Sequence, residues 1–187
     1  YLDDETLFIV DAVTSFGTIN LEVDRWGIDA VYSCSQKGLS CPPGASPVSF
    51  SSRAENKILE RKTLVPNFYL DMKQIMRYLG GSSRIYHHTA PINSMYAIYQ
   101  GLHDLKSEGI DNAIKRHLEV HKILVEGLKN IGINMLVDKE YRLPSLNAVI
   151  IPEGVDDANT REILLSEYDI EIGAGLGNLS GKIWRIG

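Results

Sequence analysis

The sequence predicts an α/β protein in two parts, a mainly parallel sheet flanked by helices over residues 1–108 and a smaller α/β part over 109–187. Three observations carry this. Short apolar runs of strand length, Leu7–Val10 and Ala30–Tyr32, are bounded by polar, turn-forming residues. Stretches of helical period follow, the longest beyond Asp111. Past Gly132 the texture changes to short strands alternating with helices. A chain of 187 residues can bury one sizeable core, and 44% hydrophobic with 23% charged residues is ordinary for a globular protein.

Two residues organise the first part. The run Leu7-Phe8-Ile9-Val10 has the composition of a buried parallel strand, and it closes at Asp11, where such strands open onto a ligand crevice. Ala30-Val31-Tyr32 leads through Ser33-Cys34-Ser35-Gln36 to Lys37, and then to Gly38 and the turn Cys41-Pro42-Pro43-Gly44. In a tight polar loop with apolar flanks the Lys37 amine is expected to be partly desolvated and nucleophilic toward carbonyls. A carboxylate that caps the next turn and an ordinary loop lysine suit the same spacing, which does not choose between the readings.

The remaining elements follow in order. Ser46–Phe50 reads as a strand, and Ser51-Ser52 as the N-cap of a helix over Arg53–Lys62. Tyr69–Leu79 carries a weaker helical pattern that ends at Gly80-Gly81. The loop Ser82–Pro91 gathers hydroxyls, imidazoles and Arg84. Adjacent histidines do not easily face one metal and no carboxylate joins them, so contact with an anionic ligand fits better than a metal site. Side chains that satisfy the loop's own backbone are the alternative. Met95, Ile98, Tyr99, Leu102 and Leu105 mark a helix over Ser94–Lys106. Asp111 is expected to cap a longer one with an apolar face from Ile114 and Leu118 to Leu128 and Ile131. His117 and His121 lie four apart on that side, but the run is His-Leu-Glu-Val-His rather than His-Glu-x-x-His, and they read as helix-face residues.

Strands are then expected at Ile133–Val137, Ser145–Ile151, Ile170–Ile172 and Lys182–Ile186, with a helix over Asp157–Tyr168 capped by Asp156-Asp157. Glycines 173, 175 and 177 fail the third position of a dinucleotide loop and precede a strand, so they are read as letting the backbone turn. Arg185, between Trp184 and Ile186, is expected to have a partner; its planar fork suits a carboxylate, either a ligand's or that of a structural salt bridge.

Composition excludes several classes. A net charge of −5 with both signs interspersed argues against a nucleic-acid partner. No apolar run approaches the ~18 residues that span a bilayer, and the first residues do not form a signal peptide. Cys34 and Cys41 lack the companions of a zinc set and are read as reduced thiols, with no metal site. The chain starts without Met and stops inside an apolar segment, so a fragment of a longer protein is expected.

The segments IVDAVTSFG (9–17), DRWGIDAVYSCSQKGLSCPPG (24–44), RIYHHTAP (84–91), RLPSLNAVIIPEG (142–154) and IEIGAGLGNLSGKIWRIG (170–187) together resemble the class V, fold-type I pyridoxal-phosphate aminotransferases, in the alanine–glyoxylate and serine–pyruvate branch. The resemblance covers nearly the whole chain. It implies part of the large cofactor-binding domain over 1–108 and part of the small C-terminal domain over 109–187. It also implies pyridoxal 5′-phosphate bonded covalently to Lys37, the catalytic residue, with Asp11 on the pyridine nitrogen and Val13 against one ring face. Gln36 would help hold the phosphate. Tyr86 and Thr89 would bind the phosphate of the neighbouring subunit, which makes a homodimer the expected unit, and Arg185 would take the substrate carboxylate.

The implied reaction moves an amino group between alanine or serine and glyoxylate or pyruvate, in the cytoplasm, or in peroxisomes or mitochondria if the source is eukaryotic. Class V cysteine desulfurases generally carry histidine before the lysine; Gln36 stands there in this chain and favours aminotransfer over a desulfurase-like lyase. A catalytically silent dimerising fragment is the alternative of a different class. The resemblance places the glycine-rich phosphate loop, the aromatic of the other ring face and a C-terminal helix outside this sequence.

Overall fold

A computed structural model describes Asp3, residues 5–80 and residues 85–187. The chain is α/β and divides into two compact units, residues 1–16 with 21–104, and residues 17–20 with 105–187.

The first unit is built on a three-stranded sheet in the order β1 (Ile9–Asp11), β2 (Ala30–Tyr32), β3 (Val48–Phe50). β1 and β2 are parallel, with Asp11 opposite Tyr32, and β3 returns antiparallel to β2. Asp29 ties this sheet to the next helix. It is buried, it accepts from the Phe8 N–H and the Ser51 hydroxyl (both 2.8 Å), and it is gripped by both arms of the Arg53 guanidinium. These donors, the Arg53 fork foremost, hold its carboxyl well below the usual range. Ser51 also accepts from the Ala54 N–H at 3.1 Å, which caps α1 (Ser52–Glu60) at the expected serine pair. A 3₁₀ turn, Phe68–Leu70, capped by the Asn67 side chain, precedes α2 (Met72–Gly80).

The first strand is not buried as its composition suggests: Ile9 is 61% exposed, because β1 is the edge of the described sheet. Ser82, Ser83 and Arg84 of the polar loop, and Gly81 before them, lie outside the described residues.

The helix read as Ser94–Lys106 is longer, α3 (Ile92–Glu108); its residues up to Asp104 belong to the first unit and the rest to the second. Its packed face matches the expected one in part. Ile98 and Leu105 lie on the more buried side with Ser94, Ala97 and Gly101, whereas Met95, Tyr99 and Leu102 are exposed. Close backbone approach decides this. A Cβ on Gly101 would come within 2.5 Å of Cys41 Sγ and 2.6 Å of the Leu39 carbonyl, so only small residues fit against the loop after β2.

In the second unit α4 (Ile110–Asn130) is capped by Gly109, at φ 85°, with no side-chain bond; Asp111, read as the cap, sits inside the first turn. It complements the helix dipole there. Leu118 and Ile131 prove exposed, at the margin of the apolar stripe, while Ala113 is fully buried. His121 Nδ1 lies 2.7 Å from Asn147 Oδ1, and burial first, then the neighbouring Arg116 charge, pushes His117 down. Glu108 receives Arg116 bidentately at 2.6 and 2.8 Å, which holds the Glu108 carboxyl low.

An antiparallel sheet completes this unit, in the order β4 (Asn147–Ile150), β6 (Ile183–Ile186), β5 (Gly173–Ala174). Ile133–Val137 contributes only a bridge, Met135 to Val149. Ile170–Ile172 is not a strand; the pairing begins at Gly173, because Asp169 adopts a left-handed conformation that ends α5 (Asp157–Tyr168) and redirects the chain. Asp156 caps α5 by accepting from the Asn159 N–H at 2.7 Å. Asp157 anchors it to β6, receiving Arg161 Nε at 2.8 Å and the Trp184 indole at 2.9 Å.

Candidate active site

The site begins where β1 and β2 end. Parallel pairing brings Asp11 beside Tyr32, and the Ala12 N–H reaches the Tyr32 carbonyl at 2.9 Å. Paired residues on adjacent strands point to the same face. The Asp11 carboxylate beside the Tyr32 hydroxyl pushes the phenol above its ordinary value. From the other side the Val13 N–H donates to Asp11 Oδ1 at 2.8 Å. Asp11 is therefore exposed but oriented by a backbone N–H.

Lys37 lies in the loop that follows β2. This loop is stapled at its base and along its length: the Ser33 N–H to the Pro47 carbonyl (2.9 Å), the Ser35 N–H to Ala45 (3.0 Å), and the Cys41 N–H to Ser35 (3.0 Å). The fully buried Ser35 hydroxyl donates to the Pro42 carbonyl at 2.7 Å. Ser33 Oγ donates to the Ala12 carbonyl at 3.0 Å and Cys34 Sγ lies 3.8 Å from that of Val13, so the turn after β1 and the lysine loop are bonded to each other.

Buried Leu39 and the Cys41 thiol, 3.0 Å from the Ala97 carbonyl, fix the far side of the loop to α3. Gln36 and Lys37 project outward from this frame. The Lys37 side chain is exposed, against the partial desolvation expected from its apolar flanks; those flanks turn inward while the lysine rides the outer bend, where its carbonyl accepts from the Ser40 N–H at 2.9 Å.

Tyr86 and Thr89 are brought together, with their hydroxyl oxygens 2.6 Å apart and both residues exposed. The histidines between them turn toward the protein instead. His87 is buried, stacked on Phe68 with ring centroids 4.4 Å apart, and its Nε2 lies 3.0 Å from the Phe68 carbonyl.

Arg185 belongs to the second unit, on the central strand β6, opposite Ala148 on one side and Gly173 on the other. Its Nε donates to the Ala174 carbonyl at 2.7 Å. No carboxylate among the described residues forms an ion pair with it, so the partner expected for it is a backbone oxygen that satisfies one edge of the guanidinium. A Cβ at Gly173 would stand 3.3 Å from Nη2, so the glycine leaves that arm room.

Sequence reasoning passed over Tyr32, whose signal was its place at the end of the strand preceding the lysine loop. It also passed over Ser33, whose hydroxyl bonds the two loops, because a serine in a polar run carries no periodicity.

The profile of the family described as Aminotransferase class-V matches residues 3–181. The chain is 42% identical over 184 residues to the alanine–glyoxylate aminotransferase of Callithrix jacchus, covering 97% of this chain and 44% of that protein. It is 33% identical over 202 residues to the (S)-ureidoglycine–glyoxylate transaminase of Bacillus subtilis, covering 98% and 48%. A crystal structure of the alanine–glyoxylate aminotransferase from Nostoc sp. superposes with a TM-score of 0.92 at 51% identity, over 97% of this chain and 48% of that one. The chain thus spans about half the length of the relatives it matches, and over that half it belongs to the class V aminotransferases.

Proposed function

We propose that the whole protein transfers an amino group between alanine or serine and glyoxylate or pyruvate, using pyridoxal 5′-phosphate held by this chain. Class V aminotransferases depend on that cofactor. The residues present fit it: a carboxylate suited to a protonated ring nitrogen, an exposed amine and a convergent hydroxyl pair suited to a phosphate. The observation that carries the reading is the parallel pairing of β1 with β2, which opens Asp11 and the Lys37 loop at the same ends of neighbouring strands.

When bound, the cofactor supplies an electron sink for ionisation of the C–H bond beside the amino group. Lys37 would hold it covalently, and its amine, when free, would be the base that moves the proton of the substrate's α-carbon. Asp11, oriented by the Val13 N–H, would face the ring nitrogen and favour its protonated form. Val13 would pack on one ring face, and Gln36 with Tyr86 and Thr89 would bind the phosphate. Arg185 takes the substrate carboxylate with the arms its backbone bond leaves open.

In this reading residues 1–108 are the cofactor-binding part and 109–187 the small-domain part. The protein is a homodimer, cytoplasmic or, in a eukaryote, peroxisomal or mitochondrial, in which Tyr86 and Thr89 serve the neighbouring subunit's cofactor. The test is to supply the full-length protein with alanine and glyoxylate and follow pyruvate and glycine. Lys37→Ala is expected to abolish turnover, and Asp11→Asn to lower kcat on the order of 10²-fold. Full turnover in Lys37→Ala would contradict the assignment.

A further inference from the structure

The two histidines between Tyr86 and Thr89 are bonded in a way that fixes their tautomers. The Phe68 carbonyl can only accept, so His87 Nε2, 3.0 Å away, carries a proton. A neutral imidazole has one N–H, and His87 Nδ1 therefore presents a lone pair to its partner at 2.8 Å, Nδ1 of His88. That partner must be the donor. The order runs one way, from His88 Nδ1–H to His87 Nδ1, and from His87 Nε2–H to Phe68.

Aromatic packing reinforces the relay. His87 stacks on Phe68 with ring planes 20° apart, and His88 stands edge-on to Tyr69 at 5.5 Å and against Tyr78 at 5.2 Å. The loop is thereby fastened to the 3₁₀ turn and to α2, while the flanking Tyr86 and Thr89 remain exposed with their hydroxyls 2.6 Å apart. Two adjacent residues face inward so that their neighbours can converge outward.

We propose that His87 and His88 are positioning residues that hold Tyr86 and Thr89 in phosphate-binding register through this relay to Phe68. The proposal rests on the reading of Tyr86 and Thr89 as phosphate ligands. It predicts a selective defect: without the relay the protein loses its preference for a phosphorylated ligand and not its affinity for the ring.

The experiment compares binding of pyridoxal 5′-phosphate and pyridoxal by the full-length protein and three variants. His88→Phe keeps an aromatic ring and removes the donor; it is expected to weaken pyridoxal 5′-phosphate roughly tenfold and pyridoxal less than twofold. His88→Asn, whose amide can offer an N–H in place of Nδ1–H, is expected to restore most of the difference. Tyr86→Phe, a direct test of the phosphate reading, should show the same selective loss as His88→Phe. In histidine-selective ¹⁵N spectra His87 should carry its proton on Nε2 and His88 on Nδ1.

Equal weakening of both ligands by His88→Phe, or no weakening, overturns the relay when Tyr86→Phe is selective. A Tyr86→Phe variant that keeps its phosphate preference overturns the phosphate reading, and the positioning role with it. A His88 that carries its only proton on Nε2 overturns the donor order.

Discussion

Asp11 and Asp29 are both carboxylates in the first unit, and their surroundings give them different work. Asp29 is buried under four donor atoms and holds the fold; Asp11 is exposed at the end of a strand, oriented by one backbone N–H, and is free to meet a ligand. The pH dependence of stability follows from Asp29. Its folded carboxyl is depressed, Arg53 being the main cause, so its contribution is complete above the unfolded value of about 4 and is lost as the pH falls through the depressed folded one. Thermal melting of the full-length protein should fall steeply below about pH 4. Asp29→Asn should lower the Tm at neutral pH and flatten that acid decline; an identical decline in the variant would show that Asp29 is not its source. At Asp11 the expected effect is on the ligand. Tyr32→Phe removes the hydroxyl beside it, and cofactor affinity, measured by absorbance titration, is expected to fall about fivefold, with unchanged affinity counting against a role for that hydroxyl.

The elements show why some of this was legible in the sequence and some was not. β1, β2, β3 and the capped ends of α1 and α5 follow from local signals, namely apolar runs and an oxygen-bearing side chain three residues before the N–H it caps. Asp11, Lys37 and Arg185 could be singled out because a charge beside an apolar run is conspicuous. The face of α3 was legible only in part: Ile98 and Leu105 pack as the period implies, but periodicity ranks residues by apolar size and the helix packs also by its small ones. Met95 and Tyr99 stay outside because the lysine loop comes within contact distance of the backbone at Gly101. The inward turn of His87 and His88 is likewise tertiary, set by Phe68 and Tyr78. A mid-helix Gly→Ala change ordinarily stabilises by up to about 1 kcal/mol. Gly101→Ala is expected to do the reverse, costing roughly 1–3 kcal/mol as the new methyl meets Cys41 and the Leu39 carbonyl, and to slow cofactor attachment by displacing the lysine loop. A rise in Tm would contradict the close approach.

At the scale of the molecule, the chain holds two compact units and about half the length of its relatives. The proposed homodimer gives its shared site a direct test. Mixing full-length Lys37→Ala with full-length Tyr86→Phe under subunit exchange should generate mixed dimers with one intact site each, and so restore roughly a quarter of the sites. Activity no greater than the sum of the separate variants would place Tyr86 on its own subunit's cofactor. The central claim, that this chain carries the cofactor on Lys37, is tested most directly by loading the full-length protein with pyridoxal 5′-phosphate, reducing with borohydride and mapping the peptides. One pyridoxyl group per subunit, on Lys37, is expected; label scattered over surface lysines, or absent from Lys37, would contradict the assignment.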